Sequence, residues 1–187
     1  MAFVTNAGSN VIAYCDASDI KDKDQRVFES NEINFADAPT TPTSLDEYLD
    51  DLSIKAFARI NEKIRASAKW RSYLGYTNNS ALTGNTIPGI NADRIVGRKS
   101  DITDLATYYV LKEYLLPKVA DFGDELNSEV QKITYYASKF DDLFNELMDM
   151  VDWYDADGAN GVDEKDKMIS FRSNRRSRSK RNITRVR

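Results

Sequence analysis

The chain has 187 residues, 41% hydrophobic and 30% charged, with mean hydropathy −0.56, which suits one domain with polar extensions and is too little for two full domains. It holds no histidine and a single cysteine, Cys15, which excludes Ser-His-Asp triads, Cys–His pairs, His-ligated metals, Cys-rich zinc sites and an internal disulfide. Its net charge of −4 is split: Arg172 to Arg187 carry eight basic residues and no acid, leaving 18 basic against 30 acidic residues in the other 171, a net charge of −12.

No apolar run approaches the roughly 18–20 residues of a membrane span. Met1 to Cys15 has neither a basic n-region nor an apolar h-region, so no signal peptide is read there. Gly84, Gly89 and Gly97 fit neither a dinucleotide fingerprint nor a P-loop. The usual nucleophiles and cofactor cradles are missing, and the chain reads as a non-enzyme without cofactor or metal.

Residues 1–43 lack helical periodicity and are rich in Asn, Asp, Ser, Thr and Ala. Val11 to Tyr14 suits a short extended segment, and Asp16 to Ile20 one helical turn. Pro39 and Pro42 bias their neighbours to extended backbone. The region is expected to be an extended arm ordered by something else, or a loose terminus.

Ser44-Leu-Asp-Glu47 has the spacing of a capping box. Apolar residues follow at Leu45, Leu49, Leu52, Ala56, Ile60 and Ile64, widened by Phe57, Ala68 and Tyr73. This predicts a helix from about Leu45 to Leu74, stopped by Gly75. Residues 75–100 carry Thr77-Asn-Asn-Ser80, Gly84-Asn85 and Pro88-Gly89, a long loop of turn formers whose length points to function or a partner.

Ser100 or Asp101 is expected to cap a second helix with an apolar face of Ile102, Leu105, Ala106, Tyr109 and Leu116, widened by Val110 and Leu111. Pro117 should kink or end it, and Gly123 marks a second break. The last helix has the strongest pattern: Leu126, Val130, Ile133, Ala137, Phe140, Phe144, Leu147 and Val151 form a heptad-like seam. The favoured partner of that seam is the first helix of the same chain; the alternative is a coiled coil between chains. The fold class is all-α, a small helical bundle over 44–158 with a long central loop and, over 159–187, a linker and extended basic tail.

Four groups of residues are candidate sites. Asp152 to Asp163 offers Asp155, Asp157 and Asn160 as oxygen ligands, but Ala159, Asn160 and Asp166 fall where an EF-hand loop needs a ligand, a glycine and a glutamate. A tight turn fits it better. Trp153, Tyr154 and Trp70 read as closing the end of the core or as interface anchors. Of Asp141, Asp142, Glu146, Asp149 and Asp152, several fall on one helical face, read as a solvated acidic surface or one that repels DNA in a channel. The tail residues Arg172, Arg175, Arg176, Arg178, Lys180, Arg181, Arg185 and Arg187 suit phosphates or an acidic partner surface. No aromatic follows Phe171 to stack on bases.

The order of a polar arm, "TSLDEYLDDLSIKAFARINEKIRASAKWRSYLGY", a long loop, "SDITDLATYYVLKEYLLPKVADF", "SEVQKITYYASKFDDLFNELMDMVDWYDADG" and an Arg-rich end resembles the head-to-tail connector (adaptor, neck) proteins of tailed bacteriophages over residues 44–158. The resemblance implies a non-catalytic virion protein, assembled in the host cytoplasm. Twelve copies would ring the DNA channel beneath the portal, and portal, other neck or tail proteins and double-stranded DNA in the channel would be its partners. Phe171 to Arg187 would be the portal-docking arm. The loop carrying Asn79, Leu82, Ile87, Pro88 and Ile90 would meet neighbouring copies or the tail. The competing reading is a nucleic-acid-binding protein that uses the basic tail.

Overall fold

The computed structural model describes residues 3–8, 10–30, 44–77, 90–122 and 128–156. These residues are mostly helical, with a single two-stranded sheet among them.

The N-terminal residues are part of the folded body. Strands β1 (Val4–Thr5) and β2 (Val11–Ala13) pair antiparallel, with Val4 opposite Ala13. Helix α1 (Ala17–Lys23) follows. Its start is a reciprocal cap: the Asp16 carboxylate accepts the Asp19 N–H at 2.9 Å, and the Asp16 N–H donates to the Asp19 carboxylate at 3.1 Å. Helix α2 (Gln25–Ser30) continues the chain. Phe3, Tyr14, Cys15, Ile20 and Val27 are all buried. Tyr14 donates to the Asn61 side chain at 2.7 Å and its carbonyl accepts from Thr103. Asp24 accepts from Lys132 at 3.0 Å and from Tyr136 at 3.2 Å. Over the described residues between 3 and 30 this corrects the expected arm; its remainder, with Pro39 and Pro42, lies outside the described residues. The described elements are too short to show a period, and burial through a few large side chains takes the place of an amphipathic stripe.

Helix α3 (Leu45–Ala66) begins at the Ser44 cap, whose hydroxyl accepts the Glu47 N–H at 3.2 Å. Leu49, Leu52, Ala56, Ile60 and Ile64 are buried as the pattern demands. The helix stops at Ser67, which turns extended at ψ 129 while its N–H bonds the Ile64 carbonyl. Helix α4 (Ala68–Thr77) then restarts and passes through Gly75. The expected single helix to Leu74 is therefore two. The change of direction puts Trp70, Tyr73 and Leu74 into the core.

Helix α5 (Lys99–Val110) is capped at Arg98, in the left-handed region at φ 49, and not at Ser100 or Asp101. Ile102, Leu105, Ala106 and Val110 are buried. The chain next winds as a π-helix over Leu111–Leu115, where the Leu116 N–H reaches back five residues to the Leu111 carbonyl. A short α6 (Leu116–Val119) follows, with Pro117 in its first turn. Pro117 lacks an N–H, and the wider turn ahead of it absorbs the lost bond without ending the helix.

Helix α7 (Ser128–Met150) carries the seam. Phe140, Leu147 and, just past its end, Val151 are buried, and Ile133 and Phe144 pack at the core's edge. Leu126 lies outside the described residues. The seam packs within the chain, chiefly on α5, the π-wound segment and α6. The first helix is not its main partner. The reason lies in α5, whose apolar face is broad enough to receive α3 on one side and α7 on the other.

Candidate partner-facing end of the molecule

The described residues that follow the long loop and those that lead toward the C-terminal tail come together at one end of the molecule. That end is built where α7 stops. Val151 takes φ 41, a left-handed conformation that costs a β-branched residue about 1–2 kcal/mol. Its fully buried side chain returns roughly 1.5–3 kcal/mol, so the sharp exit is sustained. The turn aims Trp153 back at the helix it has left, and its indole N–H donates to the Leu147 carbonyl at 2.9 Å.

Trp153 stacks nearly parallel to Trp70, with ring centres 5.8 Å apart and planes 11° apart. Tyr73 stacks on Trp70 at 5.4 Å, and Tyr154 meets it edge-on at 5.0 Å. All four rings are buried. The Tyr73 hydroxyl donates to the Tyr154 carbonyl at 3.0 Å. The Trp70 indole N–H is buried without an acceptor. The restart of α4 after Ser67 is what delivers Trp70 and Tyr73 to this stack. Burial raises the Tyr154 phenol's pKa, against the Asn91 N–H it accepts and the charge of Arg94.

Residues 90–98 run antiparallel to 151–156. A 3₁₀ turn (Ala92–Arg94) starts on the Asn91 side chain. Ile95 then bridges Tyr154. The N–H groups of Val96 and Gly97 donate to the Trp153 carbonyl at 3.0 and 3.1 Å, and that of Asp155 donates to the Arg94 carbonyl at 2.8 Å. Arg94 Nη1 donates to the Ala156 carbonyl at 2.8 Å, and the Asn91 N–H to the Tyr154 hydroxyl at 3.3 Å. Gly97 is required here: a Cβ would lie 2.9 Å from the Asp152 carbonyl oxygen.

Arg98 closes the outer side. Its guanidinium meets Asp101 at 2.6 Å, Glu146 at 2.5 Å and Asp152 at 3.8 Å. Burial works against its charge, but the hydrogen bonds and charges of Asp101 and Glu146 prevail and raise its pKa. Lys69 pairs with Asp149 at 2.6 Å. The acidic face is therefore part solvated and part a bracket: Asp141 and Asp142 are exposed, while Glu146, Asp149 and Asp152 meet cations of α4 and the α5 cap.

Of the expected loop contacts, Ile90 is half-buried against the core, at the base of the loop. Asn79, Leu82, Ile87 and Pro88 lie outside the described residues. So do Phe171, Arg172, Arg175, Arg176, Arg178, Lys180, Arg181, Arg185 and Arg187. What the structure brings together is Asn91, which follows the loop, and Ala156, the last described residue ahead of the linker and tail, through Tyr154 and Arg94. In the expected turn, Asp155 is buried inside this pairing, and Asp157 and Asn160 lie outside the described residues. Trp153 and Tyr154 close the end of the core, although α7 stops before reaching them.

Sequence reasoning missed the roles of Arg94, Gly97 and Arg98, and read Val151 as a seam residue without its left-handed turn. Gly97 alone carried a signal, as a glycine in a polar loop beside a charged pair. Among the described residues no group of three or more His, Cys, Asp or Glu side chains comes together as a metal site, and no helix is long and apolar enough to cross a membrane. No protein family matches the chain, and no curated protein or solved structure is significantly similar to it.

Proposed function

We propose that the chain is a structural protein of the virion neck. It would be a small helical bundle whose copies ring the DNA channel beneath the portal and join capsid to tail, without catalysis. The observation that supports the reading is that residues 91–97, which follow the long loop, and residues 153–156, which lead toward the tail, are hydrogen-bonded to each other. A subunit that must meet neighbours and the portal from one end needs such a junction. The split between a body of net charge −12 and a tail of +8 agrees with it. Phe171 to Arg187 is the proposed portal contact, and the loop with Asn79, Leu82, Ile87, Pro88 and Ile90 the proposed contact with other copies or the tail.

Mass photometry of the purified chain, alone and mixed with portal-bearing capsids, tests this. A particle of portal plus about twelve copies, the number the connector resemblance implies, is expected, and it should vanish when residues 172–187 are deleted. A chain that ignores portals would overturn the reading. The eight basic tail residues favour one second reading, a nucleic-acid-binding protein acting through the tail. It requires that the same deletion abolish duplex DNA binding and leave portal binding unchanged.

A further inference from the structure

The body is acidic in sum, but one of its faces is not. α3 carries Lys55, Arg59 and Lys63 four residues apart, so they form a row with a step of about 6 Å. The row lies on the flank of α3 from which Arg59 reaches Tyr114 and Lys63 reaches Phe140 of α7. There the cations stand on aromatic rings. Lys63 Nζ lies 4.6 Å from the Phe140 ring centre, and Lys112 Nζ lies 4.9 Å from the same ring and 5.1 Å from that of Tyr109. Further along, Lys118 Nζ is 5.3 Å from the Tyr48 ring. Arg59 stands against Tyr114; burial raises the Tyr114 phenol's pKa, and the charge of Arg59 opposes it. Glu62 lies 2.9 Å from Arg59, and Glu113 lies beside Lys112.

We propose that this face binds the phosphate backbone of nucleic acid, without reading base sequence. Three cations at an even step fit an evenly repeated charge better than a single carboxylate. The rings hold lysine side chains in place before an anion arrives, which lowers the ordering cost of binding. The same rings are occupied by cations and packed into the body, so stacking on bases is not offered. The inference stands apart from the neck reading and from the tail.

The test is fluorescence anisotropy of a labelled duplex of mixed sequence over a range of salt, using the full chain with its eight tail cations replaced by Gln so that the tail does not mask the face. The further change K55Q/R59Q/K63Q should weaken binding about tenfold or more and flatten the salt dependence of log K by about 2–3, near 0.9 per lost phosphate contact. E62Q, which removes the carboxylate paired with Arg59 beside the row, should tighten binding two- to threefold. This second variant tests the face even if the triple variant folds poorly. Unchanged affinity and slope in the triple variant, or no gain in E62Q, would overturn the proposal. Tighter binding of polyglutamate than of DNA would also overturn it and assign the face to an acidic protein. None of these outcomes alters the portal test.

Discussion

Cys15 and Gly97 show how a single side chain, or its lack, fixes the local structure. Cys15 is buried, and its thiol donates to the Ser53 hydroxyl, which in turn donates to the Leu49 carbonyl at 3.0 Å. Burial pushes the thiol from 9.0 up to about 11, against the hydrogen bonds of Ser53 and Thr107. The folded pKa is raised, so the neutral thiol's contribution is complete below about pH 9 and is lost between about 9 and 11. Over that window the wild type should lose roughly 2–3 kcal/mol relative to C15A, measured by urea denaturation at successive pH values; a constant difference would contradict it. At Gly97, both atoms nearest a new Cβ are backbone, the Asp152 oxygen and Trp153 Cα. They cannot rotate aside, so G97A should part the paired segments and cost about 2 kcal/mol in a thermal melt.

Among the elements, α3, α5 and α7 were legible because each carries several turns of regular apolar spacing, and Leu49, Ile60, Leu105 and Phe140 are buried where the spacing put them. Their ends were less legible. The stop at Ser67 and the left-handed residues Arg98 and Val151 answer to tertiary contacts, not to local propensity. Arg98 illustrates this. The last turn of α7 holds no basic residue and faces the negative end of its own dipole, and Arg98 supplies the missing charge from another helix. R98A should cost about 1 kcal/mol at low salt, since Glu146 and Asp152 are part exposed. The cost should shrink as sodium chloride is added. R98G should be milder than R98A, because glycine accepts φ 49 freely. Equal melts for R98A and R98G would show that the backbone angle is not strained here, and a loss from wild type to R98A that salt does not change would show that the charge does not act at this cap.

Over the whole molecule, the sequence made the charge split plain and hid the role of the first thirty residues. An arm would be dispensable. Here Phe3, Tyr14, Ile20 and Val27 are built into the core, and Asp24 ties them to Lys132 and Tyr136 of α7. Deleting residues 1–30 should therefore abolish cooperative melting and expose dye-binding apolar surface. An unchanged melt would restore the arm reading. The loop and tail were marked as contacts by composition alone. The junction of the residues beside them was invisible until α4 and α7 were placed, because Tyr73 and Tyr154 stand 81 residues apart.

The chain's two tryptophans are Trp70 and Trp153, and they lie face to face. One precedes the long loop and the other precedes the tail, so the stack spans the junction between them. Two indoles that close and parallel couple their electronic transitions, giving near-ultraviolet circular dichroism and an emission unlike those of separate indoles. The protein thus carries its own optical reporter of that junction. Any partner that disturbs the joint by seizing either segment would announce itself in this signal, with no label attached, while the far-ultraviolet signal of the helices stayed unchanged.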